Sequence, residues 1–68
     1  EEKRVAREVA QALAASGRFP HGHVEVSASE GVVMLRGRVT SYYQKQMAQT
    51  AALSLVGHRE LVNEVEVA

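Results

Sequence analysis

Two arginines spaced two residues apart carry the clearest potential chemistry of this sequence. Arg36 and Arg38 lie in an apolar segment, residues 32–39, that has the length and alternation of a β-strand. Side chains two residues apart on a strand point to the same face, and guanidinium groups suit bidentate contacts with phosphate. Because Val32 and Met34 share that face, we predict an amphipathic surface that could bind phosphorylated headgroups.

The same arginines also have a simpler explanation. The last predicted strand presents Glu64 and Glu66 on the same face of a neighbouring strand, and opposite charges that face each other across strands attract. Arg36 and Arg38 would then form exposed ion pairs, which contribute about 0–1 kcal/mol each. Both interpretations stay open at the level of the sequence.

A second basic cluster lies near the start of the chain. Lys3, Arg4 and Arg7 fall within a predicted helix and are followed by Arg18 in the next loop, and these cations could contact lipid headgroups. The alternative is an ordinary solvated helix face, because the glutamates at positions 1, 2 and 8 dilute the positive charge.

The histidines and acidic residues do not form a recognisable reaction centre. His21 and His23 could reach one metal ion with help from Glu25, but a His-x-His pair without further matched ligands is weak evidence. We therefore predict exposed loop histidines, no metal and no cofactor. The sequence shows no nucleophile–base pair, no paired carboxylates and no phosphate-binding loop, so we predict that the protein is not an enzyme.

Hydrophobic periodicity predicts five elements. Val5, Val9 and Leu13 recur at helical spacing, and three later segments have the alternation of strands. The predicted order is helix 2–15, strand 24–28, strand 32–39, helix 42–56 capped by Ser41, and strand 61–67. A helical crossover between the last two strands makes them parallel, whereas the first two strands form an antiparallel hairpin.

These elements predict a two-layer α+β fold of order α-β-β-α-β. We expect a three-stranded mixed sheet with both helices on one face and the other face open. Strand 32–39 should be central because it has the longest apolar run; a sheet with the first strand central is the alternative. Val65 and Val67 should point inward, and one of Tyr42 and Tyr43 should pack in the core while the other is free for an interface.

Three glycines mark structural junctions. Gly31 is predicted to take a positive φ in the hairpin turn, and Gly57 is predicted to end the second helix. Gly37 is costly inside a strand unless another group must come close. We predict that a helix backbone packs against the sheet at this position.

The size and charge of the chain restrict its function. With 68 residues it is a single domain, residues 1–68, with one thin core and no deep cleft. Lys and Arg number 8, as do Asp and Glu, whereas a domain that binds nucleic acid is expected to be basic, so we predict no nucleic acid partner. No apolar run approaches the ~20 residues that cross a bilayer. The sequence opens on Glu1, which suggests a piece of a longer protein.

The ordered set of glycines and apolar residues resembles the BON (bacterial OsmY and nodulation) domain family. The matching residues are Gly31, Val33, Leu35, Gly37, Val39, Ala48, Ala52, Gly57, Val62, Asn63, Val65 and Val67. The resemblance extends over nearly the whole chain, including the leading helix. The loop that follows Gly57 departs from the usual pattern of the family.

The resemblance implies a non-catalytic module of the bacterial cell envelope, of periplasmic location, that binds phospholipid or a membrane surface. It provides no catalytic or lipid-contacting positions to transfer. The candidate site therefore consists of residues chosen by chemistry alone: Arg36, Arg38, Met34, Lys3, Arg4 and Arg7. The alternative is a protein-interaction or assembly module of a larger envelope or secretion protein, which would use the face with Val32, Met34 and Val62 or a free sheet edge. Small-cation sensing, which the family also suggests, would need an oxygen-rich cage that the sequence does not mark.

Overall fold

The computed structural model describes residues 2–16 and 23–68. They form helix α1 (Glu2–Ser16), strand β1 (His23–Ser29), strand β2 (Val32–Val39), helix α2 (Tyr42–Val56) and strand β3 (Glu60–Val67). The α+β class and the order α-β-β-α-β are confirmed, and the predicted bounds of every element lie within one residue of the observed ones. The expectations for Arg18 and His21 concern residues outside the described part of the chain.

Strand β2 occupies the centre of the sheet. The strand order is β1-β2-β3, with β1 antiparallel and β3 parallel to β2. The predicted central strand is therefore confirmed, and the alternative with the first strand central is wrong. The register aligns Leu35 with Val26 on one side and with Asn63 on the other, which fixes the two sheet faces because side chains alternate along each strand.

Both helices cover the same face of the sheet. The buried residues of both helices and of two strands form one core cluster: Val5, Val9, Leu13, Val33, Leu35, Val39, Ala48, Ala52, Val56 and Val65. The four-residue spacing within each helix keeps its buried row on one side, and the alanines of α2 permit close approach to the sheet. Fully burying a valine or leucine side chain stabilises by about 1.5–3 kcal/mol, so this thin cluster holds the two layers together.

Gly37 accommodates a strand backbone and not a helix backbone. Its φ is +143°, and a Cβ at this position would overlap the carbonyl oxygen of His23 on β1. The prediction that a helix packs here is wrong because the close neighbour is the hairpin partner, which pairs Val24 with Gly37. The glycine thus lets β1 and β2 pair closely between the two arginines of β2.

The β1–β2 turn has two consecutive residues with positive φ. Glu30 has φ 51° and Gly31 has φ 81°, the combination that two-residue hairpin turns with the twist of the flanking strands require. The prediction for Gly31 is confirmed. Glu30 is the less expected residue, since only a few per cent of non-glycine residues take positive φ.

Polar side chains fix α2 at its start and along its length. The Ser41 hydroxyl accepts a hydrogen bond from the Gln44 N–H at 3.2 Å, which confirms the predicted cap. The side chain of Asn63 donates to the Lys45 carbonyl at 3.1 Å and accepts from the Val65 N–H at 3.1 Å. Asn63 therefore ties the edge strand β3 to the first turn of α2.

Three apolar or aromatic side chains differ from the predicted packing. Tyr42 and Tyr43 are 63% and 61% exposed, so the expectation that one of them enters the core is wrong. Both stand in the first turn of α2, beyond the row of small residues that contacts the sheet. Val67 shares the inward face with Val65 but is 42% exposed, because β3 ends there and the core beneath it does not extend as far.

Candidate functional site

Two surfaces hold the predicted site residues, and they lie on opposite sides of the domain. The open sheet face consists of the odd-numbered residues of β1 and the even-numbered residues of β2 and β3. The α1 outer face is the side of α1 opposite its buried row, and its exposed residues are Lys3, Arg4, Arg7, Glu8, Ala10, Gln11, Ala14 and Ala15. Arg36, Arg38 and Met34 belong to the first surface.

Each arginine of the open sheet face has a carboxylate partner on β3. The Nε of Arg36 lies 3.3 Å from the Oε1 of Glu64, and Nη2 of Arg38 lies 3.4 Å from the Oε1 of Glu66. The parallel register that aligns β2 with β3 places each pair side by side. The simpler explanation of these arginines, as exposed cross-strand ion pairs, is therefore what the geometry shows.

The neighbouring strand adds further negative charge beside Arg36. Glu25 stands opposite Arg36 in the antiparallel register, and its Oε2 lies 3.0 Å from the Nε2 of His23. Within the described residues, no three potential ligands converge on a possible metal position. His21, the other histidine of the predicted pair, lies outside them.

The open sheet face is acidic as a whole. It carries four glutamates (Glu25, Glu60, Glu64 and Glu66) and two arginines, a formal charge of −2 with His23 neutral. Five of the six charges lie at the end of the face where β2 and β3 finish, and Glu60 lies at the other end beside Val32. Val32, Met34 and Val62 form the other, apolar end, and each is partly exposed. An acidic surface is a poor match for phosphate groups.

The α1 outer face has the opposite character. Lys3, Arg4 and Arg7 are all exposed, and none of them forms an ion pair with a described acidic residue. They lie within about 6 Å of one another along the helix axis, since the rise is about 1.5 Å per residue. Glu8 lies at one edge of this face, which therefore has a formal charge of +2 on a chain of zero formal charge.

Glu2 forms no ion pair with the cations of that patch. Its carboxylate accepts hydrogen bonds from the N–H of Gly31 at 2.6 Å and from the N–H of Glu30 at 2.9 Å. The Gly31 N–H, assisted by the Glu30 N–H and nearby Arg59, holds the pKa of the Glu2 carboxyl below its ordinary value of 4.5. The Glu2 carboxylate therefore stays ionised and is held at the hairpin turn, and the same contact fixes how α1 begins.

Two residues with defined roles were missed at the sequence level. The sequence placed Glu2 only among the glutamates near the basic cluster, because its partners are 28 and 29 residues away along the chain. Asn63 was named only as one of the residues that match the family pattern. A signal for it exists, since an amide on the inward face of a strand needs hydrogen-bond partners.

The chemistry available at both surfaces is that of binding. Among residues 2–16 and 23–68, no polar or charged residue is buried, so the described charges lie at the surface, where contacts are weak and screened by salt. Neither described helix is long and apolar enough to cross a membrane.

Comparison with known proteins gives the family. No curated protein matches the chain. The model of the BON domain matches residues 1–68, the whole length of the sequence. This family consists of bacterial, generally envelope-associated modules of a non-catalytic type that binds membranes or phospholipid. By this match and by its α-β-β-α-β architecture, the chain belongs to the BON domain family.

Proposed function

We propose that this domain binds anionic phospholipid headgroups at a bacterial envelope membrane through the α1 outer face. The observation that supports the proposal is that the cations of the two surfaces differ in whether they form ion pairs with carboxylates of the same chain. Lys3, Arg4 and Arg7 have no described acidic partner, whereas both arginines of the open sheet face have one. In this proposal the domain acts by adhesion, without catalysis, on the periplasmic side of the envelope.

The expected strength follows from the number of cations. A lysine or arginine near an anionic membrane surface contributes about 1 kcal/mol, so three of them give about 3 kcal/mol. Such binding is weak for an isolated domain, and linked copies or a membrane-bound parent protein would strengthen it through effective concentration. Salt should weaken it, because the contacts are exposed to solvent.

Arg36, Arg38 and Met34 take a secondary part in this proposal. For either arginine to bind a phosphate, it would have to leave a carboxylate that lies 3.3 or 3.4 Å away, and the surrounding face would repel the ligand. The sequence alone gave no reason to prefer the cations of α1 over the two arginines of β2 as the lipid contact. The preference for α1 comes from the ion pairs that the sheet register creates.

Sedimentation with vesicles tests the proposal. The protein should pellet with vesicles that contain phosphatidylglycerol at low salt, and should stay in solution with phosphatidylcholine alone or at high salt. Lys3→Gln should weaken binding about fivefold, the equivalent of about 1 kcal/mol. Lys45→Gln removes the same charge from α2 and is the matched control. Equal loss in both variants, or no binding at low salt, would contradict the proposal.

A second function is supported by the open sheet face. Neither helix packs on it, and its apolar end exposes part of Val32, Met34 and Val62. This arrangement suits a protein-interaction or assembly module. If Met34→Glu abolished self-association in sedimentation velocity while vesicle binding stayed unchanged, the assembly function would be favoured for this face.

A further inference from the structure

We propose that the open sheet face of one copy binds the α1 outer face of a second copy, in a head-to-tail contact. The two surfaces have opposite formal charge, −2 for four glutamates and two arginines on the sheet and +2 for three cations and Glu8 on the helix. Although the net charge of the chain is zero, one side of the molecule is acidic and the opposite side is basic. This contact goes beyond lipid binding and needs no membrane.

The dimensions of the two surfaces agree. A helix of 15 residues is about 22 Å long and about 10 Å wide with its side chains. Three strands spaced about 4.8 Å apart and about 23–26 Å long offer a platform that one helix covers along the strand direction. The contacting side of α1 is already exposed, so docking leaves its buried row in place.

The distribution of residues also fixes the direction of the docked helix. Its cations occupy the first two turns, and Ala10 and Ala14 follow on the same side. The centres of these two groups are separated by about 11 Å along the helix. On the open sheet face, the charged end and the apolar end around Val32 and Met34 are separated by about 13 Å. The helix start therefore lies over Glu25, Glu64 and Glu66, and the alanines lie over the end that holds Val32 and Met34.

Pairing of two open sheet faces with each other is disfavoured by the same distribution. One two-fold arrangement places Arg36 and Arg38 opposite their own copies. The other places the charged end of each face on the apolar end of its partner. Both arrangements bring like charges together or bury charges without partners, and both outcomes are costly.

A head-to-tail contact repeats without closing, because each copy keeps one free surface of each kind. The area is below that of a standard stable interface, so single contacts should be transient. A copy held on a membrane by α1 would expose its acidic face to the α1 outer face of the next copy. Linked copies would then form short stacks in which only the first copy contacts the membrane through α1.

Charge reversal of each surface tests the contact in the absence of lipid. The sheet variant carries Glu64→Lys and Glu66→Lys, which changes its face from −2 to +2. The helix variant carries Arg4→Glu and Arg7→Glu, which changes its face from +2 to −2. Each ¹⁵N-labelled variant is titrated with the unlabelled form of itself and of the other, and amide chemical shifts are followed at low salt.

The wild type should show concentration-dependent shifts on α1 and on the open sheet face, and each variant alone should show almost none. The two variants mixed should associate at least about tenfold more tightly than either does alone, equivalent to about 1.4 kcal/mol. Dispersed spectra of both variants establish that they fold; should the sheet variant not fold, Glu64→Gln with Glu66→Gln replaces it and should weaken wild-type self-association.

Absence of shifts on mixing, or shifts confined to the sheet faces of both partners, would overturn the head-to-tail contact. This outcome is separable from the lipid proposal, because the sheet variant retains all three cations of α1 and should still bind anionic vesicles. If the contact fails while vesicle binding persists, only this inference falls. If the variants associate but wild-type vesicle binding is absent, only the lipid proposal falls.

Discussion

The cations of the open sheet face and the cations of the α1 outer face have similar chemistry but different surroundings. On the open sheet face, the register of β2 and β3 gives Arg36 and Arg38 one carboxylate each. On α1, no described acidic side chain pairs with Lys3, Arg4 or Arg7, and Glu2 turns away to the hairpin. A cationic side chain is therefore free to bind an external anion only where no carboxylate of the same chain pairs with it.

Among single substitutions, Gly37→Ala should destabilise most the sheet that holds Arg36 and Arg38. The new Cβ would overlap the His23 carbonyl oxygen of the partner strand, so the hairpin would have to shift, and we expect a loss of about 3 kcal/mol in the free energy of unfolding. Gly31→Ala is the matched control, because its φ is also positive but the space around it is open; it should cost only about 1 kcal/mol. Urea denaturation measures both, and equal losses would show that backbone conformation, without the steric contact, explains Gly37.

A smaller loss should follow from Asn63→Ala. The side chain satisfies the Lys45 carbonyl and the Val65 N–H, so its removal should lower the free energy of unfolding by about 2 kcal/mol. Because Asn63 is remote from α1, vesicle binding of the folded variant should be unchanged. A variant as stable as the wild type would mean that water replaces these hydrogen bonds without cost.

Glu2 gives a pH-dependent test of how α1 is held. Its pKa is lowered in the folded state by the N–H groups of Gly31 and Glu30, so its contribution to stability is present above the unfolded value and is lost as pH falls through the lower folded value. Glu2→Gln should therefore lower the melting temperature at neutral pH, and the difference from the wild type should shrink as the pH is lowered below about 4.5. Glu8→Gln is the control on the same helix. A difference that stays constant from neutral to acidic pH would contradict the assigned role of the carboxylate.

The smallest effect is expected for the sheet ion pairs. Glu64→Gln removes the partner of Arg36 in a pair whose side chains are 66% and 53% exposed, so we expect at most about 0.5 kcal/mol in the free energy of unfolding. The comparison predicts a second consequence, because the variant frees Arg36. Vesicle binding should rise slightly at low salt, and a fall would mean that Glu64 itself contributes to the membrane contact.

The fold was predictable because its signals are local. Periodic valines, the Ser41 cap and the turn glycine fix each element from neighbouring residues, and the crossover rule then orders the strands. The pairing of the arginines was left as one of two alternatives, because it depends on how two strands separated by a helix are aligned.

Other features required contacts that no local pattern reveals. The reason for Gly37 lies in the carbonyl of a residue 14 positions earlier, and the carboxylate of Glu2 finds its donors 28 and 29 residues away. Tyr42 and Tyr43 have the size of core residues, but the narrow row of alanines keeps the sheet close to α2 and leaves both rings exposed.

The most direct test compares two double variants that change the net charge equally. Arg4→Gln with Arg7→Gln removes two cations from α1, and Arg36→Gln with Arg38→Gln removes two from the sheet. We predict that the α1 variant binds vesicles of phosphatidylglycerol at least about tenfold more weakly than the wild type, and that the sheet variant stays within about twofold. The reverse order, with the larger loss in the sheet variant, would contradict the claim that pairing within the fold decides which cations bind the membrane.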